Sequence, residues 1–211
     1  MDLLLVRHGL PVRISREDNT TGDPADPHLA PAGHDQARLA ASWLAAEPIV
    51  AVYSSPLHRA VETAAPLAEA LGQETIIVDD LAEWDKEADQ YLHVEELRAA
   101  NDPIWQALAR SDLHALGVDV GAFRSRVVGA IDGIAASHPS QTVAVVCHGG
   151  VINTYTGDII GLGTERTLWF SPDYAGISNI KVSSSGIRSI ASLNETAHLR
   201  PRPEPPRTAT G

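Results

Sequence analysis

Cysteine is almost absent from this sequence, since Cys147 is the only one among 211 residues. A single thiol excludes a disulfide framework within the chain and favours a reducing, cytoplasmic setting. The sequence also lacks an apolar run long enough to cross a membrane, and no basic leader precedes its first apolar segment. We therefore expect neither a transmembrane span nor a secretory signal.

Positive charge is scarce as well. The chain has 16 lysines and arginines against 27 aspartates and glutamates, which gives a formal net charge of -11. This balance argues against nucleic acid or a membrane surface as the main partner. A small anionic molecule stays compatible, because a few arginines can dominate the field inside a cleft. The length and the 44% hydrophobic content are typical of a globular domain with a substantial core.

Strand-like apolar runs alternate with helix-like segments along most of the chain. Strands are predicted at 3–6, 49–53, 75–78 and 142–147, and helices at 31–46, 57–71, 120–137 and 151–160. This order predicts an α/β fold in three layers, with a mostly parallel central sheet and helices on both of its faces. Further extended segments are expected at 167–170, 177–183 and 187–193.

Two regions depart from this alternation. Residues 81–116 are acidic, helical in propensity and rich in large aromatics, which predicts a helical lid over the sheet rather than a separate domain. Residues 200–211 contain four prolines and no apolar pattern, and we expect a disordered tail there. Residues 1–199 are accordingly interpreted as one domain.

Chemistry-bearing residues follow several of the predicted strands. Arg7 and His8 end the first strand, His148 ends the fourth, and a glycine follows each histidine. The second strand ends in a Ser-Ser-Pro sequence, and Arg59 lies in the first turn of the next helix. Because ligands of open α/β sheets bind at the carboxyl ends of the strands, we expect these side chains to meet.

Such a set is suited to a tetrahedral oxyanion. Arginine donates to two oxygens at once, and a helix N-terminus adds positive potential, so a phosphoryl group is the expected target. A histidine in this setting can act as a nucleophile through a covalent intermediate. The leaving alkoxide then needs an acid, and Glu83, just after the third strand, is the leading candidate.

The motifs around these residues resemble those of the histidine phosphatase superfamily, which includes the cofactor-dependent phosphoglycerate mutases. They are Arg7-His8-Gly9, the segment 54–64, Leu81-Ala82-Glu83 and His148-Gly149-Gly150, with weaker matches at 29–37 and 194–199. Together they extend the resemblance over nearly the whole chain and imply a phosphoglycerate mutase-like fold.

The resemblance also implies a role for each residue. His8 is the histidine that becomes phosphorylated, and Arg7 and Arg59 hold the phosphoryl oxygens. His148 donates to those oxygens as charge develops. Glu83 protonates the leaving group and then activates water. We expect no metal and no other cofactor, because the arginines supply the positive charge. The sequence leaves the oligomeric state open between a monomer and a homodimer, although members of this family often pair.

The sequence departs from the family pattern at two places. Leu10, Pro11 and Val12 stand where the family often has a glutamate, a hydroxyl residue and an asparagine nearby. One polar contact to phosphate or substrate is therefore missing. The segment 84–89 replaces a glycine-rich stretch after the acid, which predicts an unusual lid and leaves Asp85 as the alternative proton donor.

Each candidate also has a purely structural interpretation. Arg7 and His8 would form a polar strand end, Arg59 would pair with Glu62 or Glu69 on a helix, and His148 would be a satisfied core histidine. The carboxylates from 79 to 96 could form a solvated acidic face. Trp84, Tyr91 and Trp105 could form an apolar lid, but ordinary core is the preferred interpretation for aromatics at such spacing. Cys147 is interpreted as a small buried strand residue.

The function predicted from these observations is metal-independent hydrolysis of a small phosphomonoester through a phosphohistidine at His8. A mutase is the first alternative, but the lid offers only Lys86, Arg98 and Arg110 to grip a carboxylated substrate. A non-catalytic phospho-ligand binding protein is the second. The acidic, aromatic lid favours an uncharged or small leaving group over a highly anionic one.

Overall fold

The computed structural model describes residues 1–15 and 17–200, and within them the predicted alternation forms one sheet between two helical layers. The strands are β1 (Asp2–Arg7), β2 (Ile49–Ser54), β3 (Thr75–Ile77), β4 (Thr142–Cys147), β5 (Ile177–Val182) and β6 (Arg188–Glu195). The α-helices are α1 (Pro31–Leu44), α2 (His58–Leu71), α3 (Val94–Ala99), α4 (Pro103–Ala109), α5 (Val120–Ser137) and α6 (Gly149–Ile159).

The strand order across the sheet is β3-β2-β4-β1-β5-β6. The pairs β3–β2, β2–β4 and β4–β1 are parallel, whereas β5 is antiparallel to β1 and to β6. The prediction of a mostly parallel sheet with helices on both faces is confirmed. The central position of β4 and β1 places their carboxyl ends side by side, with the end of β2 next to them.

The two central strands are apolar throughout because both of their faces are buried. Alternate residues enter two separate cores, since successive side chains of a strand point to opposite faces. Leu3 and Leu5 pack with α5 and α6, whereas Leu4 and Val6 pack with α1 and α2. The sheet is thereby fixed between two helical layers, which holds its carboxyl edge rigid.

Three sequence predictions need correction or qualification. The extended segment predicted at 167–170 is not a strand, because the Asn153 side chain takes the backbone N–H groups of Trp169 and Phe170. The lid region is only partly helical: α3 and α4 are short, and residues 82–93 contain no helix. Apart from Arg200, the predicted tail lies outside the described residues.

Among the described residues, no helix combines the length and the apolar character that crossing a membrane requires.

Candidate active site

A cavity of about 730 Å³ opens at the carboxyl edge of the parallel strands. Its walls come from the end of β1, the start of α2, the lid segment 83–116, the start of α6 and the loop 168–174. Arg7, His8, Arg59, Glu83 and Asp85 all line it. The structure thus brings together residues that are far apart in the sequence, as the strand-end argument predicted.

His8 lies at the floor of this cavity with only 2% of its surface exposed. Its Nδ1 is 2.8 Å from the carbonyl oxygen of Gly9, which can only accept, so Nδ1 carries the proton and Nε2 keeps a free lone pair. Burial, reinforced by the charges of Arg59 and Arg7, holds the pKa of His8 well below its usual value. The ring is therefore neutral and nucleophilic at neutral pH.

The loop after His8 is tied to two helices. The Gly9 N–H donates to the Thr63 hydroxyl on α2, and the Leu10 N–H donates to the side-chain oxygen of Gln36 on α1. Gly9 also approaches the backbone of Gly33 so closely that a Cβ at Gly9 would lie 2.6 Å from the Gly33 oxygen. These contacts fix the backbone that orients His8.

Arg7 reaches the cavity from the last position of β1. Its NH1 donates to the carbonyl of Pro172 at 2.6 Å, and its guanidinium carbon lies 3.9 Å from the centre of the Tyr174 ring. The Nε atom is buried and has no partner among the described residues. The guanidinium is thus held in place while one donor stays available.

Arg59, in the first turn of α2, is 1% exposed. Its guanidinium is 3.6 Å from Asp26 and 3.4 Å from Asp85, and it lies over the ring of Tyr91 at 4.8 Å. Asp26 also accepts from the His58 N–H at the start of α2, a helix whose own first residues provide no side-chain cap. The buried Nε of Arg59 likewise has no partner within the described chain.

His148 is fully buried next to His8: its ring centre is 5.1 Å from that of His8, and it is not among the residues that line the cavity. Its Nε2 is 2.7 Å from the Ser55 hydroxyl at the end of β2, and its Nδ1 has no partner in the described part of the structure. Burial, with the charge of Arg59 as the next cause, lowers the pKa of His148 well below its usual value. The ring is therefore neutral.

Glu83 is only 7% exposed and lies against the N-terminus of α6. Its carboxyl group accepts from the N–H of Gly150 at 2.7 Å and from that of Trp84 at 3.1 Å. Burial and the charge of Asp85 nevertheless raise the pKa of Glu83 to about 7, against these two donors and Arg59. A group that titrates near neutral pH can give a proton and later take one back.

Asp85, the alternative proton donor, lines the same cavity. Burial raises the pKa of Asp85, and the charge of Arg59 opposes the rise. Its oxygen faces the Arg59 guanidinium, which stabilises the ionised form. This position favours Asp85 as a partner of Arg59 and Glu83 as the acid.

Several residues at the site were not predicted as functional. Thr63 and Gln36 were quoted only as parts of motifs, and the motif positions were the signal that could have found them. Tyr91 and Tyr174, which lie against the two arginines, follow no motif. Asn153 was missed as well: it lies on α6 and donates to the carbonyls of Gly149 and Phe170.

The sequence interpretation preferred ordinary core for the aromatic residues of the lid, and the structure favours the lid alternative instead. Trp84, Tyr91 and Trp105 all line the cavity and are only partly buried. Trp84 additionally packs against the core beneath it.

Comparison with known proteins identifies the relatives of this chain. A family model described as the histidine phosphatase superfamily (branch 1) matches residues 3–196. Phosphoserine phosphatase 1 of Hydrogenobacter thermophilus is 30% identical over 204 residues, which cover 93% of this chain and 93% of that protein.

Solved structures share the fold. The phosphoserine phosphatase of Entamoeba histolytica in complex with 3-phosphoglyceric acid superposes with a TM-score of 0.73 at 23% identity, covering 94% of this chain and 99% of that one. A mycobacterial glucosyl-3-phosphoglycerate phosphatase in complex with VO3 gives 0.73 at 22% identity, over 92% and 99% of the two chains.

Proposed function

The chain belongs to the histidine phosphatase superfamily, and from that premise we propose that it hydrolyses phosphomonoesters through a phosphohistidine at His8, without a metal ion. The substrate is a small phosphorylated molecule. The curated and structural relatives named above are phosphatases of such compounds, which supports this class of activity.

One observation carries the proposal: three buried nitrogen atoms without partners belong to the residues whose charges or rings act on His8. They are Nε of Arg7, Nε of Arg59 and Nδ1 of His148. Buried polar atoms are nearly always hydrogen-bonded, so three unpaired nitrogen atoms in residues around His8 favour a ligand rich in acceptor oxygens. If the Ser55 hydroxyl donates to Nε2 of His148, the single proton of the neutral ring lies on Nδ1, and all three atoms are donors. A phosphoryl group satisfies them together.

The first step transfers the phosphoryl group to the enzyme. Nε2 of His8 attacks phosphorus with its lone pair, and the bond between phosphorus and the alcohol oxygen breaks. The protonated carboxyl of Glu83 gives its proton to the departing alkoxide. Arg7, Arg59 and His148 bind the phosphoryl oxygens, whose charge is redistributed as the reaction proceeds.

The second step returns the enzyme to its starting form. The carboxylate of Glu83 takes a proton from water, and the resulting hydroxide attacks phosphorus as the bond to Nε2 of His8 breaks. Inorganic phosphate leaves, Glu83 is again protonated, and His8 is again neutral. The pKa of Glu83, about 7, suits both directions of proton transfer.

A reducing, cytoplasmic setting is part of the same proposal. Cys147 is the only cysteine of the chain and is fully buried as a free thiol. Burial raises the pKa of this thiol, so it stays protonated and unreactive beside the active site.

The test is hydrolysis of 4-nitrophenyl phosphate in EDTA by the wild-type protein and by His8→Ala. We expect turnover by the wild type, loss of at least about a thousandfold in the variant, and an acid-labile phosphoryl group on the peptide that contains His8 after rapid quenching. His114→Ala, which alters an exposed histidine outside the cavity, is the matched control and should keep full activity.

Three results would overturn the proposal. Undiminished turnover by His8→Ala would remove the phosphohistidine. Phosphate binding without turnover or labelling would make the chain a binding protein. Transfer of the label to a second hydroxyl in preference to water would make it a mutase.

A further inference from the structure

The chain has ten aromatic residues in total, counting tryptophan, tyrosine and phenylalanine, and six of them line the active-site cavity. The six are Trp84, Tyr91, Trp105, Trp169, Phe170 and Tyr174. None of the six is fully buried, so each presents part of its ring to the cavity or to solvent. This concentration is not required by the sheet cores, which are built mostly of aliphatic side chains.

Two of the six contact the arginines proposed to bind the phosphoryl group. Tyr174 lies against Arg7, and Tyr91 lies beneath Arg59. Such contacts hold a guanidinium in place without using its donors. The remaining four rings line the cavity without contacting either phosphate-binding arginine through a ring face.

Asn153 holds the part of the cavity wall that carries Trp169 and Phe170 in position. Asn153 accepts from the backbone N–H groups of Trp169 and Phe170 and donates to the Phe170 carbonyl. The backbone carbonyl of Asn153 accepts from the indole N–H of Trp169 at 3.2 Å. The rings of Trp169 and Phe170 are consequently ordered, with their centres 4.7 Å apart. An ordered aromatic surface costs little entropy when it binds a ring.

The charges around this space disfavour an anionic leaving group. Among the described lining residues, Arg98 is the only cation besides the two phosphate-binding arginines. It is exposed and lies over the ring of Trp105. Three carboxyl residues, Glu83, Asp85 and Asp89, line the same cavity. A carboxylate close to the phosphate of a small substrate would lie near Asp85, whose negative charge would repel it.

We propose that this cavity is a specificity pocket for phosphomonoesters whose leaving alcohol carries an uncharged aromatic ring. The proposal rests on the proposed function, since the same phosphate clamp and nucleophile process the ester. The ring packs among the aromatic side chains of Trp84, Trp105, Trp169 and Phe170. Apolar neighbours such as Leu108 and Leu168 complete its burial. A volume of about 730 Å³ accommodates such a ring together with the phosphoryl group.

The experiment compares four alkyl esters, all of which release an unactivated alkoxide: 2-phenylethyl, 2-cyclohexylethyl and ethyl phosphate, and 3-phosphoglycerate. We expect kcat/KM to be highest for 2-phenylethyl phosphate, by about tenfold or more over ethyl phosphate and over 3-phosphoglycerate. The cyclohexyl ester tests the aromatic requirement, because its ring is as large and as apolar. It should fall between the phenyl and ethyl esters.

Variants locate the selectivity. Trp105→Ala and Trp169→Leu should each lower the ratio of kcat/KM for the phenylethyl ester to that for the ethyl ester by about fivefold or more. Trp43→Leu is the matched control, because Trp43 is an exposed tryptophan on α1 outside the cavity. It should leave the ratio unchanged. Thermal unfolding of each variant shows whether the fold is retained.

The same comparison by binding keeps the two proposals separate. Calorimetry with 2-phenylethylphosphonate and ethylphosphonate, which cannot be hydrolysed, should give at least about tenfold tighter binding of the phenyl compound. Tighter phenyl binding without any turnover would support the pocket and overturn the phosphatase. Turnover that is equal for all four esters, or highest for 3-phosphoglycerate or the cyclohexyl ester, would overturn the pocket and leave the phosphatase standing.

Discussion

At the scale of single residues, burial places His8 and Glu83 in the protonation states that the proposed phosphoryl transfer needs. A buried site disfavours charge of either sign, so it lowers the pKa of the imidazole and raises that of the carboxyl. Near pH 7 the nucleophile is therefore unprotonated, while a substantial fraction of the acid keeps its proton. One environment thus prepares both partners of the reaction.

This argument predicts the pH dependence of Glu83 variants. The alkoxide of 2-phenylethyl phosphate needs a proton, so wild-type kcat/KM should fall as pH rises through about 7, where Glu83 loses its proton. Glu83→Gln should lower kcat/KM for this ester by about a hundredfold or more and remove the falling limb. The leaving group of 4-nitrophenyl phosphate needs no proton. With this substrate, Glu83→Gln should lower the rate of the nitrophenol burst by less than about tenfold.

The variant Asp85→Asn shows which of the two carboxyl groups, Glu83 or Asp85, is the proton donor. Because the charge of Asp85 raises the pKa of Glu83, its removal should move the falling limb to lower pH and keep it visible. Glu69→Gln, on the exposed side of α2, is the control and should leave the profile unchanged. A limb that disappears in Asp85→Asn and persists in Glu83→Gln would identify Asp85 as the proton donor.

At the scale of elements, the start of α6 fits closely against the acid. Gly150 gives its N–H to Glu83, and a Cβ at Gly150 would lie 2.3 Å from Glu83 Oε1 and 2.8 Å from Cδ1 of Trp84. The glycine is therefore required by the approach of the carboxyl group and of the lid. Helical propensity alone would favour alanine at this position.

Gly150→Ala should accordingly displace Glu83 and lower kcat/KM for 2-phenylethyl phosphate by about tenfold or more, as steady-state kinetics would show. Gly129→Ala is the matched control on α5, where an added Cβ meets nothing within 4 Å. It should keep full activity and stabilise the fold by about 0.5–1 kcal/mol. Full activity of Gly150→Ala would contradict the close fit of α6 and the acid.

At the scale of the whole molecule, the site depends on a sheet fixed between two cores. The ends of β1, β2 and β4 stay in register because Arg7 pairs with Cys147 and Ser54 with Val146. The helical layer of α5 and α6 supports one face, and Ile131 of α5 is fully buried in that core. A loss of packing there weakens the support of the sheet, whose strand ends carry the residues of the candidate site.

Ile131→Ala should lower the free energy of unfolding by about 2–5 kcal/mol, because it leaves a cavity in a closely packed core. Urea titrations followed by circular dichroism and by tryptophan fluorescence should give the same midpoint. Ile187→Ala, at a position 69% exposed, should change stability by less than about 0.5 kcal/mol. A small loss in Ile131→Ala would show that the α5 layer is not part of the cooperative core.

Much of the fold and the site could be predicted because the informative signals are local. Apolar runs mark where strands end, and parallel strands bring those ends to one edge, which placed Arg7, His8, Arg59 and His148 close together. The family followed from these motifs and is confirmed by the match over residues 3–196. The phosphatase class is confirmed by that match together with the phosphatases among the relatives. The catalytic roles stay predictions until the variants are measured.

What the sequence by itself determined, then, is the order of strands and helices and the polar residues at the strand ends, since both depend on near neighbours in the chain. Tertiary structure alone decided the antiparallel pairing of β5, the stacking of Tyr91 and Tyr174 on the arginines, and the capture of the 169–170 backbone by Asn153. These contacts join segments that are far apart in the sequence, and no local sequence pattern predicts them. The protonation states of His8 and Glu83 belong to the same class, because burial is a property of the folded chain.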